Sequence, residues 1–161
     1  MLINSANIMG GSTEPNNLRG FGRVHLEAGL PLGSNDSLVL FVAEASLESN
    51  GQTKYAFKVN GKAGLDLRAS LSWLDIPTTA LSSLQLQHDL DLSVTSPSGD
   101  VYTMWTSGAK DTVNVNERVI VPTGSCEDGI YTVTVRAEEL LTESQAYSLV
   151  VTGAILAADG M

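Results

Sequence analysis

The chain has 161 residues, of which 43% are hydrophobic and 17% are charged, and its formal net charge is −9 at pH 7. This length fits a single domain, and no apolar run is long enough to span a membrane. The acidic balance argues against a nucleic-acid partner, because phosphate binding depends on clustered basic side chains. The single cysteine, Cys126, has no partner for an internal disulfide.

The N-terminal stretch differs in pattern from the rest of the chain. Residues 2–9 are predicted to form a short helix, and a glycine-rich loop follows. No capping residue stands ahead of this helix, so we expect the stretch to be the tail of a larger unit. The segment 1–34 is therefore assigned separately from the remainder of the chain.

From residue 38 onward, apolar and polar residues alternate with a period of two, which is typical of half-buried strands. Turn sequences such as Asn60-Gly61 and Ser98-Gly99 separate the apolar runs. No helical segment lies between successive strands, which argues against a long parallel sheet. We predict that 35–161 is an all-β domain, an antiparallel β-sandwich or jelly roll of about eight strands. The predicted strands are 38–45, 53–60, 67–74, 90–96, 101–105, 118–121, 130–137 and 146–152.

The same alternation predicts which side chains form the core. Successive side chains of a strand point to opposite faces, so apolar residues two apart share a face. Burying each of them contributes roughly 1.5–3 kcal/mol. The predicted core consists of Ala69, Leu71 and Trp73; of Leu90, Leu92 and Val94; and of Tyr131, Val133 and Val135 with Tyr147, Leu149 and Val151.

Acidic residues occur inside the predicted strands, where Asp is normally depleted because it competes for backbone hydrogen bonds. Asp89 and Asp91 lie two residues apart, and Asp75 follows the strand that carries Trp73. A bound calcium ion would compensate these charges, since Ca²⁺ takes about six to eight oxygens from carboxylates, amides and water. The predicted ligands are Asp75, Asp89, Asp91, Asn116 and Glu117, with Asp111 and Asn114 as further candidate donors.

The alternative to calcium is a solvated acidic face with Arg68 or Arg118 as counter-ions. Without a cation, carboxylates gathered in one patch would repel one another, and the pKa of at least one would rise. Zinc is disfavoured, because the two histidines and one cysteine are not clustered in the sequence.

Two further features of the sequence bear on function. Trp105, with Tyr102 nearby, is a candidate stacking platform for a sugar or a protein ligand, the alternative being a place in the core or at a sheet edge. His25 and His88 lack the sequence context of a serine-protease triad. We therefore predict that the chain is not an enzyme on its own.

Three blocks of sequence occur in order along nearly the whole chain. The first block comprises Leu2-Ile3-Asn4-Ser5-Ala6 and Gly20-Phe21-Gly22-Arg23-Val24 through Leu30-Pro31-Leu32. The second block comprises Trp73-Leu74-Asp75, Asp89-Leu90-Asp91-Leu92 and Pro97-Ser98-Gly99. The third block comprises Asn116-Glu117-Arg118-Val119, Gly129-Ile130-Tyr131 and Gln145-Ala146-Tyr147-Ser148-Leu149. Together they resemble the C-terminal part of a subtilisin-like serine protease of the S8 family, in which a jelly-roll (P-domain-like) region follows the catalytic domain. The first block looks like the last helix and exit strand of that catalytic domain, and the other two look like the motifs of its jelly roll.

The resemblance implies that 1–34 is a remnant of the preceding catalytic domain and linker, and that 35–161 is a non-catalytic accessory domain. Such a domain belongs to a secreted protease, packs against its catalytic domain, stabilises it, often binds calcium and aids substrate or partner binding. Two departures matter: His88 stands where the family has Asn, and the G-T-S motif of the nucleophile is absent. The alternative function is a stand-alone jelly-roll module that binds carbohydrate or protein.

Overall fold

The computed structural model describes residues 1–9, 15–33, 37–78, 85–105, 111–138 and 140–158. These ranges contain one short helix, α1 (Leu2–Ser5), and 3₁₀ turns at Leu26–Ala28, Gly61–Ala63 and Thr123–Ser125. They also contain nine strands: β1 (Val39–Glu48), β2 (Gln52–Val59), β3 (Leu67–Trp73), β4 (Leu90–Thr95), β5 (Val101–Tyr102), β6 (Asn116–Val121), β7 (Gly129–Ala137), β8 (Ser144–Gly153) and β9 (Ile155–Ala158). No helix within the described ranges has the length and hydropathy needed to cross a bilayer. The predicted domain boundary at 34–35 lies outside the described residues.

The strands form two antiparallel sheets. The four-stranded sheet has the order β1-β8-β3-β6, and the five-stranded sheet has the order β5-β4-β7-β2-β9. The first eight strands thus pair as in a jelly roll, where two Greek keys close a double sheet. The prediction of an all-β jelly-roll sandwich is confirmed.

The ninth strand was not predicted, and β5 is shorter than predicted. After β8 the chain bends at Ala154 and crosses to the five-stranded sheet, where Ile155 pairs with Val59. Because β9 is short and its sequence does not alternate, the period-two pattern does not mark it. β5 ends at Tyr102, so the predicted continuation to residue 105 leaves the sheet.

The core lies between the two sheets and contains every side chain that the alternation predicted for it. Phe57 adds to this layer, with its ring 5.1 Å from that of Phe41 in an edge-to-face arrangement. The indole N–H of Trp73 donates to the carbonyl oxygen of His88 at 3.0 Å, which satisfies the one polar atom of a buried ring. The inward faces therefore follow from sequence alternation alone.

The N-terminal segment, meaning the described residues 1–9 and 15–33, lies on the outer face of the four-stranded sheet. The side-chain amide of Asn4 donates to the hydroxyl of Thr152 on β8 at 2.8 Å, and both residues are buried. Arg118 on β6 donates to the carbonyl oxygens of Ile3 and Ala6 at 2.9 and 2.7 Å. The segment is thus held on the sandwich by polar groups.

A second arginine reinforces this docking. Arg68 on β3 donates to the carbonyl oxygen of Ala6 at 3.4 Å and to the side-chain oxygen of Asn7 at 3.2 Å. The Arg118 guanidinium also lies 5.4 Å from the centre of the Phe21 ring, a cation–π distance. Both arginines face outward from the sheet and bind the segment that covers it.

Helix α1 ends at Ser5, four residues before the predicted end. Ala6 adopts an extended backbone, and Asn7 then pairs with Arg23 through backbone hydrogen bonds of 2.8 and 3.1 Å. Gly29 approaches α1 so closely that a Cβ at this position would lie 2.5 Å from the Cβ of Ser5. Glycine is needed there because the two backbones touch.

Candidate functional site

Asp75 serves as a hydrogen-bond acceptor for the backbone that follows β3. Its Oδ1 accepts the N–H groups of Ile76 and His88 at 2.9 and 3.1 Å, and its Oδ2 accepts that of Gln87 at 2.6 Å. Since three N–H groups occupy this carboxylate, few lone pairs point to an ion. The sequence pattern shows an isolated Asp after a strand and does not reveal this local role.

The predicted neighbours Asn116 and Glu117 point to opposite faces of β6. Asn116 pairs with Ser72 on the outer face of the four-stranded sheet and lines a groove there with Glu44 and Ser148. Glu117 is buried and points toward the other sheet. Consecutive residues of a strand alternate in direction, so these two cannot bind one ion from regular β-structure.

Asp89 and Asp91 also open onto different cavities. Asp89 lies just before β4 and lines a cavity near the β1–β2 turn with Ser49 and Asn50. Asp91 lies within β4 and lines a cleft on the outer face of the five-stranded sheet. The two carboxylates therefore line different cavities, although the charges of both act on Glu117.

The five predicted ligands do not converge as one calcium site in this arrangement. No group of three or more His, Cys, Asp or Glu side chains among the described residues could hold a metal ion. Asp111, a further candidate, accepts the N–H groups of Val113 and Asn114 at 2.9 and 3.0 Å and the Asn114 side-chain amide at 2.7 Å. It caps its own loop, as Asp residues in turns commonly do.

Glu117 joins the two sheets at their shared edge. Its Oε2 accepts the N–H of Leu92 on β4 at 2.5 Å, a group that the short strand β5 does not reach. Burial raises the pKa of Glu117 to about 8; the bond from Leu92 opposes this rise, and the charges of Asp91, Asp111 and Asp89 add to it. The side chain is therefore largely protonated at neutral pH in the absence of a cation.

Glu117 should make the stability of the ion-free protein fall as the pH rises. Its folded pKa of about 8 exceeds its ordinary value of 4.5, so the folded state binds the extra proton. The stabilisation is complete below about pH 4.5 and is lost as the pH approaches 8, at about 1.4 kcal/mol for each pH unit. Urea unfolding in EDTA at several pH values measures this slope.

The variant E117Q is the matched control for that slope, because a neutral amide oxygen can still accept from Leu92. It should be more stable than the unmodified protein near pH 8 and should lose the extra slope. Every other group is common to the two proteins and cancels in the difference. Parallel curves for the two proteins would contradict the protonated state of Glu117.

The cleft that contains Asp91, here called the outer cleft, encloses about 400 Å³. Its floor is the outer face of three neighbouring strands, and the chain after β5 forms a wall that includes half-buried Trp105 and Met104. Asp111, Glu117 and Glu138 also line it. The floor side chains are Gln52, Lys54, Asp91, Ser93, Thr134 and Arg136.

The two arginines proposed as counter-ions have other partners. Arg68 pairs with Asp66 at 2.9 Å, and both Arg68 and Arg118 hold the N-terminal segment. This role was not predicted from the sequence. The signal was one arginine on the outward face of each of the paired strands β3 and β6, which indicates that polar groups of another segment cover that face. Cys126 is half-buried, and burial raises the pKa of its thiol, which disfavours the reactive thiolate.

The histidines have structural contacts. His88 is buried, with Nδ1 hydrogen-bonded to Oε1 of Gln145 and Nε2 lying 3.3 Å from the hydroxyl of Thr142. Asp75 Oδ1 lies 3.6 Å from Nδ1 of His88. Thr142, His88 and Asp75 therefore superficially resemble the Ser-His-Asp triad of a serine protease. However, Gln145 takes the Nδ1 position and backbone N–H groups occupy Asp75, so this network fixes the loop before β4. His25 lies 3.8 Å from Glu27 near the surface.

No family model and no curated protein matches the sequence. Among solved structures, the chain is similar to the Yersinia pseudotuberculosis-derived mitogen. The identity is 12%, the TM-score is 0.39, and the match covers 71% of this chain and 86% of that chain. A likeness at this level carries no inference about function.

Proposed function

We propose that this chain is a non-catalytic accessory domain of a secreted subtilisin-like serine protease, and that it packs against and stabilises the catalytic domain. The resemblance of the ordered sequence blocks supports the parentage. The single structural observation that supports the packing role is the orientation of the N-terminal segment, which buries polar groups against the sandwich and exposes apolar ones.

Most of the large apolar side chains of the segment are exposed, although the small Ala6 is buried. Asn4 and Ser5 are buried against the sheet, whereas Leu2 is 64% exposed and Leu18 is 91% exposed. Contiguous exposed apolar surface commonly marks a contact with another protein surface. The exposed large apolar residues of the segment are Met1, Leu2, Ile8, Met9, Leu18, Val24, Leu26 and Leu32. A catalytic domain joined through this segment would cover them.

Calcium binding remains part of the proposal on the strength of the resemblance. Of the predicted ligands, Asp91 and Glu117 line the same cleft. Burial chiefly raises the pKa of Glu117, and the charge of Asp91 adds to the rise; a bound cation would relieve this repulsion. An ion that binds only the folded state stabilises it by about 2.7 kcal/mol at one hundred times its dissociation constant.

The proposal is tested first by reading the coding sequence upstream of residue 1. We expect a subtilisin-type catalytic domain there, with its Asp, His and Ser motifs. The two-domain protein should then keep its peptidase activity longer at elevated temperature than the same protein without residues 35–161. An upstream sequence without those motifs would contradict the parentage.

Matched surface variants test the contact itself. Replacing exposed Leu2 and Leu26 with serine should shorten the thermal half-life of the two-domain protein, because both lie on the segment. Replacing Val101 and Ile130 with serine is the control, since they are similarly exposed on the sandwich. Equal half-lives for both pairs would place the catalytic domain elsewhere.

A further inference from the structure

Strand β1 is an open edge of the four-stranded sheet. Among the described residues it pairs with β8 alone, through ten consecutive residues without a bulge. Within the same part of the chain, its backbone makes one further backbone bond, in which the carbonyl oxygen of Glu48 accepts the N–H of Gly51 at 2.9 Å. About half of the N–H and C=O groups of a strand point to each side, so those on the outer side of β1 meet no strand of the described chain. At about 3.3 Å per residue, this edge is roughly 33 Å long.

The sequence of β1 does little to protect this edge. Natural edge strands are commonly short, or they carry proline, lysine or a bulge, each of which hinders the addition of another strand. β1 has none of these features, and Val42 on its outward face is 52% exposed. Its charged residues, Glu44 and Glu48, lie on the same face as Val42. A long, regular edge of this kind can accept one more strand through its backbone groups.

The core is open to solvent along this edge. The inward side chains Phe41, Ala43 and Ala45 are only half-buried, although the residues opposite them on β8 are buried. Tyr55 on β2 and Ala158 on β9 pack against the same core and are half-buried as well. An added strand would therefore remove apolar side chains from water in addition to pairing backbone groups, and burial of apolar surface is favourable.

The two sheets end at different places along this edge, which selects the kind of partner. β1 lies over β2, because the ring of Phe41 packs edge-to-face on those of Tyr55 and Phe57 at 5.8 and 5.1 Å. β9 is the next strand beyond β2, so it projects past β1, and no described strand of the four-stranded sheet covers it. A second copy that paired along the whole of β1 would bring its own β2 to the place that β9 occupies. A single extended chain has no second sheet, so it fits over β9.

The charges at the edge select a basic strand. The outward face of β1 carries Glu44 and Glu48, and the whole chain has a formal net charge of −9. Cross-strand pairs of opposite charge stabilise a sheet, and like charges directly opposite each other destabilise it. On the inward face, the neighbours of an added strand are apolar side chains of the core. Because successive side chains of a strand point to opposite faces, a complementary strand alternates basic and apolar residues.

We propose that β1 binds an extended segment of another protein, in which apolar and basic residues alternate, as a fifth strand of the four-stranded sheet. The apolar residues of the segment cover the core above β9, and its basic residues pair with Glu44 and Glu48. This role goes beyond packing on a catalytic domain, because that contact would use the N-terminal segment on the face of the sheet, whereas this one uses the edge.

The test uses ¹⁵N-labelled protein and synthetic peptides of the same length as β1. In three of them valine alternates with lysine, with serine or with glutamate, and a fourth has the composition of the lysine peptide with all its valines in one block. At low ionic strength the alternating lysine peptide should bind most tightly, and added salt should weaken it toward the serine peptide. Its binding should protect β1 amides from hydrogen exchange at alternate residues, namely those whose N–H groups point away from β8.

A charge reversal assigns the binding to this edge. Glu44→Lys should weaken binding of the lysine peptide at least about fivefold and should tighten that of the glutamate peptide. The residue is exposed on the outward face of β1, so the change carries little risk of misfolding. Asp100→Lys is the control, because it changes the net charge by the same amount and lies next to β5, at the opposite edge of the sandwich.

Several results would overturn the proposal. They are the absence of binding by every peptide, binding of the serine, glutamate or block peptide as tight as that of the alternating lysine peptide, equal effects of E44K and D100K, and exchange protection confined to residues outside β1. Without peptide, the outward amides of β1 should stay unprotected at every protein concentration. Protection that rises with protein concentration would show that a second copy occupies the edge, which would also contradict the proposal.

Discussion

Replacing Asp75 with alanine should lower the free energy of unfolding by about 5 kcal/mol or more, and by the same amount in calcium and in EDTA. The carboxylate accepts backbone N–H bonds from Ile76, Gln87 and His88, and each bond to a charged acceptor contributes roughly 1.5–3 kcal/mol. Its loss would leave these donors without their acceptor where the chain before β4 meets the end of β3. Urea denaturation in both buffers measures the difference.

The two buffers separate a structural role from ion binding. If Asp75 only accepts the backbone N–H bonds, a calcium ion should stabilise the unmodified protein and D75A by the same increment. Glu143→Ala is the control, since this carboxylate is exposed and its removal should leave the unfolding curves unchanged. If D75A abolished the calcium increment, Asp75 would be one of the ligands, as the sequence predicts.

Replacing Arg118 with alanine should release the N-terminal segment from the sandwich. The guanidinium is buried, binds the carbonyl oxygens of Ile3 and Ala6 and contacts the Phe21 ring. Two charge-assisted bonds and a cation–π contact are lost, so the free energy of docking should fall by roughly 3–5 kcal/mol. Hydrogen exchange at the paired amides of Asn7 and Arg23 reports this release directly.

The matched control is Arg23→Ala, which removes an exposed guanidinium from the segment itself. Its backbone pairing with Asn7 does not depend on the side chain, so the protection of these amides should persist. Strands of the core should remain protected in both variants, because the docking contacts lie on the outer face. Unchanged exchange in R118A would mean that the segment is held chiefly by other contacts, such as the bond from Asn4 to Thr152.

The fold was predictable because apolar and polar residues alternate with a period of two along most of its strands. Leu90, Leu92 and Val94 alternate with polar residues over a whole strand, and burial of one face then fixes the register. β9 escaped prediction because its four residues run Ile-Leu-Ala-Ala without alternation. Its position depends on the bend at Ala154 and on the free edge of β2, which are properties of the assembled sandwich.

The candidate site was only partly predictable. Asp91 and Glu117 do line one cleft, although they lie 26 positions apart in the sequence. The structure places Asp75 and Asn116 away from this cleft, because local hydrogen bonds orient the first and strand direction orients the second. Whether a carboxylate meets an ion or a backbone N–H depends on loop geometry, which composition and spacing do not encode.

The last strand also covers part of an edge of the five-stranded sheet. β9 pairs with β2 from Phe57 to Val59, and without it this stretch would present a row of unpaired backbone groups beside an apolar core. Open strand edges of this kind template the addition of strands from other molecules and lead to aggregates. With β9 in place, the backbone groups of Phe57 to Val59 are paired, and the outer side of β9 becomes the new edge, so strand addition here would have to take place on β9.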